Sequence, residues 1–232
     1  MSKFSKRIKK CLEAVDKNKL YSLEEAVAIL KNVPQPKFDQ TVEIACNLNI
    51  DPKQSEQTVR GSVILPHGIG KTVRVIVFCK GDDIDKAKSA GADFAGGSDL
   101  IEKIKKGWLE FDTSASTPEM MKDVAQLGKV LGPRGMMPAP KAGTVGPDIE
   151  RIVKDLKGGK VQFKADKTAN IHAIVGKISF SDEKICENTL NLFKAITQAR
   201  PSVVKGRFVK NMTLTTTMGP GVRLDLGRLG QK

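Results

Sequence analysis

Two stretches with the same strand-like rhythm sit toward opposite ends of this chain, and a stretch of different rhythm separates them. That arrangement limits the fold more than any single motif. Thr41 to Ile50 places Val42, Ile44, Cys46, Leu48 and Ile50 on one side and Thr41, Glu43, Ala45, Asn47 and Asn49 on the other. A period of two is that of a strand with one face buried and one face polar. Val59 to Leu65 predicts a second strand, ended by Pro66-His67-Gly68-Ile69-Gly70. Val73 to Cys79 is instead a continuous apolar run, suited to a strand buried on both faces.

From there strand and helix patterns take turns. Asp82 to Ala90, Asp99 to Lys106 and Pro118 to Leu127 predict helices, with strands expected at Asp93 to Ala95 and Leu109 to Phe111. Such alternation predicts a small doubly wound α/β unit. Leu131 to Pro147 is rich in Gly and Pro, and Asp148 caps a helix to Leu156. After Lys157-Gly158-Gly159-Lys160 the first style returns. Val161 to Lys164 and Ile171 to Phe180 are expected to form a hairpin over Asp166–Asn170, and Ser181 caps a long helix. At the N-terminus, Phe4 to Val15 reads as a basic amphipathic helix, and Ser22-Leu-Glu-Glu25 is a capping box for a helix stopped by Asn32 and Pro34.

The fold class is therefore α/β, an α+β part and an α/β part in two domains. Residues 1–67 and 160–232 are expected to form a split antiparallel α/β sandwich from both termini. Residues 68–159 are expected to form an inserted, doubly wound, Rossmann-like α/β domain. Pro66, Gly68, Gly70, Gly158 and Gly159 at the two crossings read as a hinge; long loops alone would also account for these glycines.

Charge says which part meets a polyanion. The net charge is +13, and residues 1–67 carry 11 Lys/Arg against 8 Asp/Glu, residues 160–232 carry 13 against 5, and residues 68–159 carry 15 against 13. The excess lies in the terminal segments, which points to nucleic acid as partner; a solvated basic face is the plainer alternative. No apolar run approaches the roughly 18–20 residues that span a bilayer, and the charged N-terminus has no apolar stretch after it. Cys11, Cys46, Cys79 and Cys186 are widely spaced and do not read as a disulfide framework; Cys46 and Cys79, inside strand-like runs, suit core thiols of a cytoplasmic protein.

Several chemistries lose their support. Gly68-Ile-Gly70-Lys71-Thr72 looks like the end of a phosphate-binding loop, but Leu65 stands where its first glycine belongs, and a strand rather than a helix follows. The two histidines, His67 and His172, have no carboxylate or thiol at ligand spacing, so no metal or other cofactor is expected. No nucleophile elbow or paired-carboxylate motif argues for an enzyme. The competing reading is a small-molecule binder or enzyme that uses the crevice of the inserted domain.

The last strand, Phe208 to Val222, ends in Thr215-Thr-Thr-Met-Gly-Pro-Gly221. Three hydroxyls followed by glycines around a proline form a ledge that a sugar-phosphate chain can approach closely. An ordinary edge strand entering a surface turn has a similar composition. Aromatic residues are only 5% of the chain, which favours a folded RNA read by shape, phosphate and ribose over a stacked single strand.

Three spaced motifs resemble the L-one family of large-subunit ribosomal proteins, bacterial type. They are Gly132-Pro-Arg-Gly-Met-Met-Pro-Ala-Pro-Lys-Ala-Gly-Thr-Val145, Asp166-Lys-Thr-Ala-Asn-Ile-His172 with Gly176-Lys177, and Thr215-Thr-Thr-Met-Gly-Pro220. The resemblance runs to about Val222. It implies a ribosomal location, binding to large-subunit ribosomal RNA at the mobile stalk by the tRNA exit site, contact with exit-site tRNA, and repression of its own operon mRNA. It also implies a monomer when free, with no membrane partner. The positions matching the family's RNA contacts are Lys37, Phe38, Thr41 and Glu43, then Lys164, Lys167 and Thr168, then Thr217, Met218 and Gly219. Departures are Ala139 for a usual Asn, Asn211 for a usual Ser, and Ala169 for a usual Gly, with Asn170 expected to take the left-handed turn position. The tail from Leu224 carries no partner pattern and is expected to fray.

Overall fold

The computed structural model describes residues 5–229. The chain divides into one compact unit of Met1–Gly70 with Val161–Lys232, and a second of Lys71–Lys160. The first unit opens with α1 (Lys6–Glu13), α2 (Leu23–Asn32), β1 (Thr41–Leu48) and β2 (Arg60–Ile64). The second holds β3 (Val75–Phe78), α3 (Asp83–Ser89), β4 (Phe94–Gly96), α4 (Ser98–Lys105), β5 (Thr113–Ser116), α5 (Met121–Val124), α6 (Gly128–Leu131) and α7 (Ile149–Lys157). The chain returns with β6 (Lys160–Lys164), β7 (Asn170–Lys177), α8 (Asp182–Gln198), β8 (Val209–Thr216), β9 (Val222–Arg223) and α9 (Leu226–Leu229).

In the first unit the sheet order is β7-β1-β8-β9, every neighbour antiparallel. The alternation of β1 is realised in full: Val42, Ile44, Cys46 and Leu48 are buried, and the residues between them are half-exposed. The buried side meets α2 through Ala26, Val27 and Leu30 and α8 through Ile185, Leu192 and Ile196. Each of these Val, Leu and Ile side chains contributes about 1.5–3 kcal/mol by leaving water. Both halves of the capping box form at α2, Ser22 Oγ accepting from Glu25 N and Glu25 Oε2 accepting from Ser22 N. At α1, Ser5 Oγ accepts from Ile8 N, and Cys11 is the buried residue. The expected helix start at Phe4 lies outside the described residues.

The second unit is a parallel sheet of order β4-β3-β5. All four residues of β3 are buried. Ile76 and Phe78 face a core with Leu100, Ile101 and Ile104 of α4, while Val75 and Val77 face another with Ile149, Val153 and Leu156 of α7. Helices thus cover both faces of a central apolar strand, the doubly wound arrangement.

Four expectations need correction. Leu109–Phe111 is not a strand; Phe111 is core, and the third strand is Thr113–Ser116. Its buried serines are satisfied locally, Ser114 Oγ donating to the Met136 carbonyl and Ser116 Oγ to the Thr117 carbonyl. The expected hairpin is a turn between two sheets, because β6 pairs with β2 and β7 with β1. Ala169, not Asn170, takes the left-handed conformation, with φ +64°. The start of the tail is also held in the fold: Leu224 is buried and bridges Tyr21, and Asp225 N donates to the Tyr21 carbonyl.

At the crossings, Gly68, Gly70 and Gly159 have positive φ, whereas Gly158 is right-handed and ends α7. Pro66 starts the turn that closes when Gly68 N donates to the Leu65 carbonyl. Buried Asn188 of α8 anchors this turn: its Oδ1 accepts from His67 N, and its Nδ2 donates to the Gly68 and Val175 carbonyls.

Candidate nucleic-acid interface

With α2 and α8 on one side of the four-stranded sheet, its other side is left to solvent. Pairing sets its content. Glu43 stands opposite Ile174 and Thr215, Ala45 opposite His172 and Thr213, and Asn47 opposite Asn170 and Asn211, while Arg223 joins beside Thr213. The middle of this face is mostly uncharged and polar. Asn47 Nδ2 donates to Asn170 Oδ1 at 2.7 Å, which fixes both amides.

At one end of the face stand Lys37, Phe38, Thr41, Thr217, Met218 and Gly219. Thr217 N donates to the Thr41 carbonyl at 3.0 Å, continuing the ladder past β8. Thr217 Oγ1 accepts from Thr41 N at 3.1 Å. Met218 N donates to Oε1 of Gln40 at 2.8 Å, and buried Gln40 in turn donates to Gln35 Oε1. Gln35 Nε2 donates to the Leu30 and Val33 carbonyls at the end of α2. Arg7 of α1 donates to the Met218 carbonyl at 2.9 Å. These bonds fix the backbone and leave Phe38 and Met218 about half exposed, at 52% and 49%. Gly219 fits closely: a Cβ there would lie 2.1 Å from Thr216 Oγ1, a buried hydroxyl with no hydrogen-bond partner.

Lys164, Lys167 and Thr168 stand at the other end. β1 has eight residues, so the two groups are separated along the strand by roughly 23 Å at ~3.3 Å per step. Lys164 and Lys167 line an open recess of about 510 Å³ with Ile50, Pro52, Thr58, Ala165 and Asp166. Asp166 builds the turn, its Oδ1 accepting from Thr168 N and Asn170 N at 2.8 Å each. Those donors, with the Asn170 amide first and the Thr168 hydroxyl next, hold the Asp166 carboxyl below the usual carboxylate range. The Thr168 hydroxyl is used inside the turn, donating to Asp166 and accepting from Asn170 Nδ2.

Three contributors to this surface went unmarked in the sequence. Lys177 Nζ donates to Thr41 Oγ1 at 3.1 Å and to the Asp39 carbonyl at 3.3 Å, so it adds a cation at the Thr41 end. Its signal was the Gly176-Lys177 pair. Gln40 and Arg7 had no signal, since a buried glutamine and one arginine in a basic helix look ordinary. Met136 and Met137 pack against the core of the second unit. Among the described residues no three metal-ligating side chains converge, and no helix is long and apolar enough to cross a membrane.

Chemically, lysines at the ends can meet phosphates, and the mostly uncharged middle can lie against ribose. Glu43 and the threonine hydroxyls offer acceptors to 2′-hydroxyl groups. Residues 30–220 match the ribosomal protein L1p/L10e family. A large ribosomal subunit protein uL1 from Persephonella marina is 51% identical over 230 residues, covering 97% of this chain and 95% of its own. The protein of the same description from Streptococcus gordonii is 49% identical over 229 residues, covering 99% and 100%.

Proposed function

The chain belongs to the ribosomal protein L1p/L10e family, and on that premise we propose that it binds large-subunit ribosomal RNA through the outer face of its four-stranded sheet. It is a structural constituent of the large ribosomal subunit, located with the ribosome in the cytoplasm. The RNA is that of the mobile stalk beside the tRNA exit site. In this reading the protein assists release of deacylated tRNA there, and it represses its own mRNA through a site that imitates the ribosomal one. It acts as a monomer when free, without a cofactor, and the inserted unit moves on glycines at the two crossings.

One observation carries the RNA reading. Strand pairing joins Thr41 and Glu43 of the N-terminal segment to Thr215 and Thr217 of the C-terminal one, on a polar face with Lys37 and Lys177 at one end and Lys164 and Lys167 at the other. Mostly uncharged hydrogen-bonding groups between cations match a sugar-phosphate groove better than they match a small metabolite. Titration of a stalk RNA fragment at several salt concentrations tests it. Log affinity should fall linearly with log salt, and bulk tRNA should compete poorly. A flat salt response contradicts phosphate contact, and equal competition by tRNA contradicts a specific site.

A further inference from the structure

A second candidate surface lies wholly within the inserted unit, where α4 ends. Gly107, with φ +99°, follows the last turn. Gly107 N donates to the Ile104 carbonyl and Trp108 N to the Lys103 carbonyl at 3.1 Å. This paired bonding folds the next residue back over the helix it has left, so Trp108 is set beside Lys103. Its ring meets Phe94 of the edge strand β4 edge-on, with centroids 4.7 Å apart and planes at 87°. Phe94, Leu100, Lys103, Lys106 and Trp108 line an open cavity of about 420 Å³. Both rings are half-buried, and both lysines are exposed. Neither lysine makes an ion pair among the described residues.

We infer that this cavity takes one unstacked RNA nucleotide, its base against Trp108 and its flanking phosphates on Lys103 and Lys106. Two aromatic walls at a right angle accept a flat ring on one wall and its edge on the other. An uncharged apolar guest would leave both cations unused, whereas a nucleotide engages rings and cations together. The walls are preformed, since the helix end and the sheet edge fix them without a ligand. The inference rests on the RNA-binding reading, yet uses residues separate from the sheet face.

Trp108 is the chain's one tryptophan, so its fluorescence reports this cavity in the intact protein. A short single-stranded oligouridylate should quench it saturably. Lys103→Glu with Lys106→Glu should weaken that binding by about tenfold or more, given two lost phosphate contacts, with an unchanged melting temperature showing that the fold survives. Quenching that is absent, or equal in the charge-reversed variant, overturns the inference. So does tighter quenching by free uridine monophosphate or by an acidic peptide of equal charge. If quenching fails while the stalk RNA fragment still binds in a Thr217-dependent way, the cavity is refuted and the sheet interface stands.

Discussion

Thr41 and Thr217 hold each other across the seam between the two chain ends. The Thr217 N–H donates to the Thr41 carbonyl at 3.0 Å, and Thr217 Oγ1 accepts from the Thr41 N–H at 3.1 Å. One hydroxyl thus completes the sheet and still stands exposed at the end of the polar face.

Thr217→Val keeps the shape and removes the acceptor. The Thr41 N–H is exposed and can turn to water, so stability should change by about 1 kcal/mol or less. Affinity for the stalk RNA fragment should fall by about 1–3 kcal/mol, the size of a lost specific contact. Filter binding and thermal melting of the same preparations separate the two effects. Unchanged affinity removes the hydroxyl from the interface.

Gly219→Ala is expected to act through Thr216. The new Cβ cannot remain 2.1 Å from Thr216 Oγ1, so the Thr216 side chain or the turn carrying Met218 must shift, at about 1–3 kcal/mol of stability. Thr216→Ala removes the obstructing oxygen. The double variant should therefore be more stable than the two single losses predict, with a coupling of about 0.5–3 kcal/mol. Simple additivity in denaturant titrations counts against the steric account.

Ala169→Gly should stabilise the protein by about 1 kcal/mol, because φ +64° strains any residue with a Cβ. The effect is the net of relieved strain and a more flexible unfolded chain. A lower melting temperature would mean that packing of the buried Ala169 methyl outweighs the strain.

Acid should loosen the inserted unit through Asp112. The Lys71 ammonium, 2.8 Å away, brings its carboxyl from 3.8 down to about 2, opposed by partial burial and helped by the Arg74 N–H and guanidinium. The folded value lies below the unfolded one. The stabilisation is therefore complete above about pH 4 and lost as pH falls toward about pH 2. Both cations are half exposed, so solvent screening limits the effect to about 1 kcal/mol. Asp112→Asn should flatten the stability profile over that window; an unaltered profile would show that the ion pair contributes nothing.

The sequence read best where burial writes a period. β1 alternates because one side is covered by α2 and α8, and β3 is apolar throughout because helices cover both of its sides. Thr113–Ser116 broke that logic: its buried hydroxyls find carbonyls nearby, so a buried strand looked like a loop. The return strands kept their rhythm but concealed their partners, since alternation shows which side is buried and not which strand lies alongside. The tail was illegible because Leu224 depends on Tyr21, a contact between distant parts of the chain. The site has the same character. Thr41 and Thr217 are adjacent only through β1–β8 pairing, and family resemblance rather than residue pattern brought them together in advance. Gln40, which secures Met218, has no local signature.

Lysine footprinting of the intact protein, with and without the stalk RNA fragment, tests the central claim most directly. Lys37, Lys164 and Lys167 border the polar face, whereas Lys184 and Lys194 are exposed on α8, across the sheet from it. RNA should protect the first three from acylation and leave the two on α8 reactive. Protection of Lys184 and Lys194, with Lys37, Lys164 and Lys167 still reactive, would place the RNA on the helical side and contradict the account.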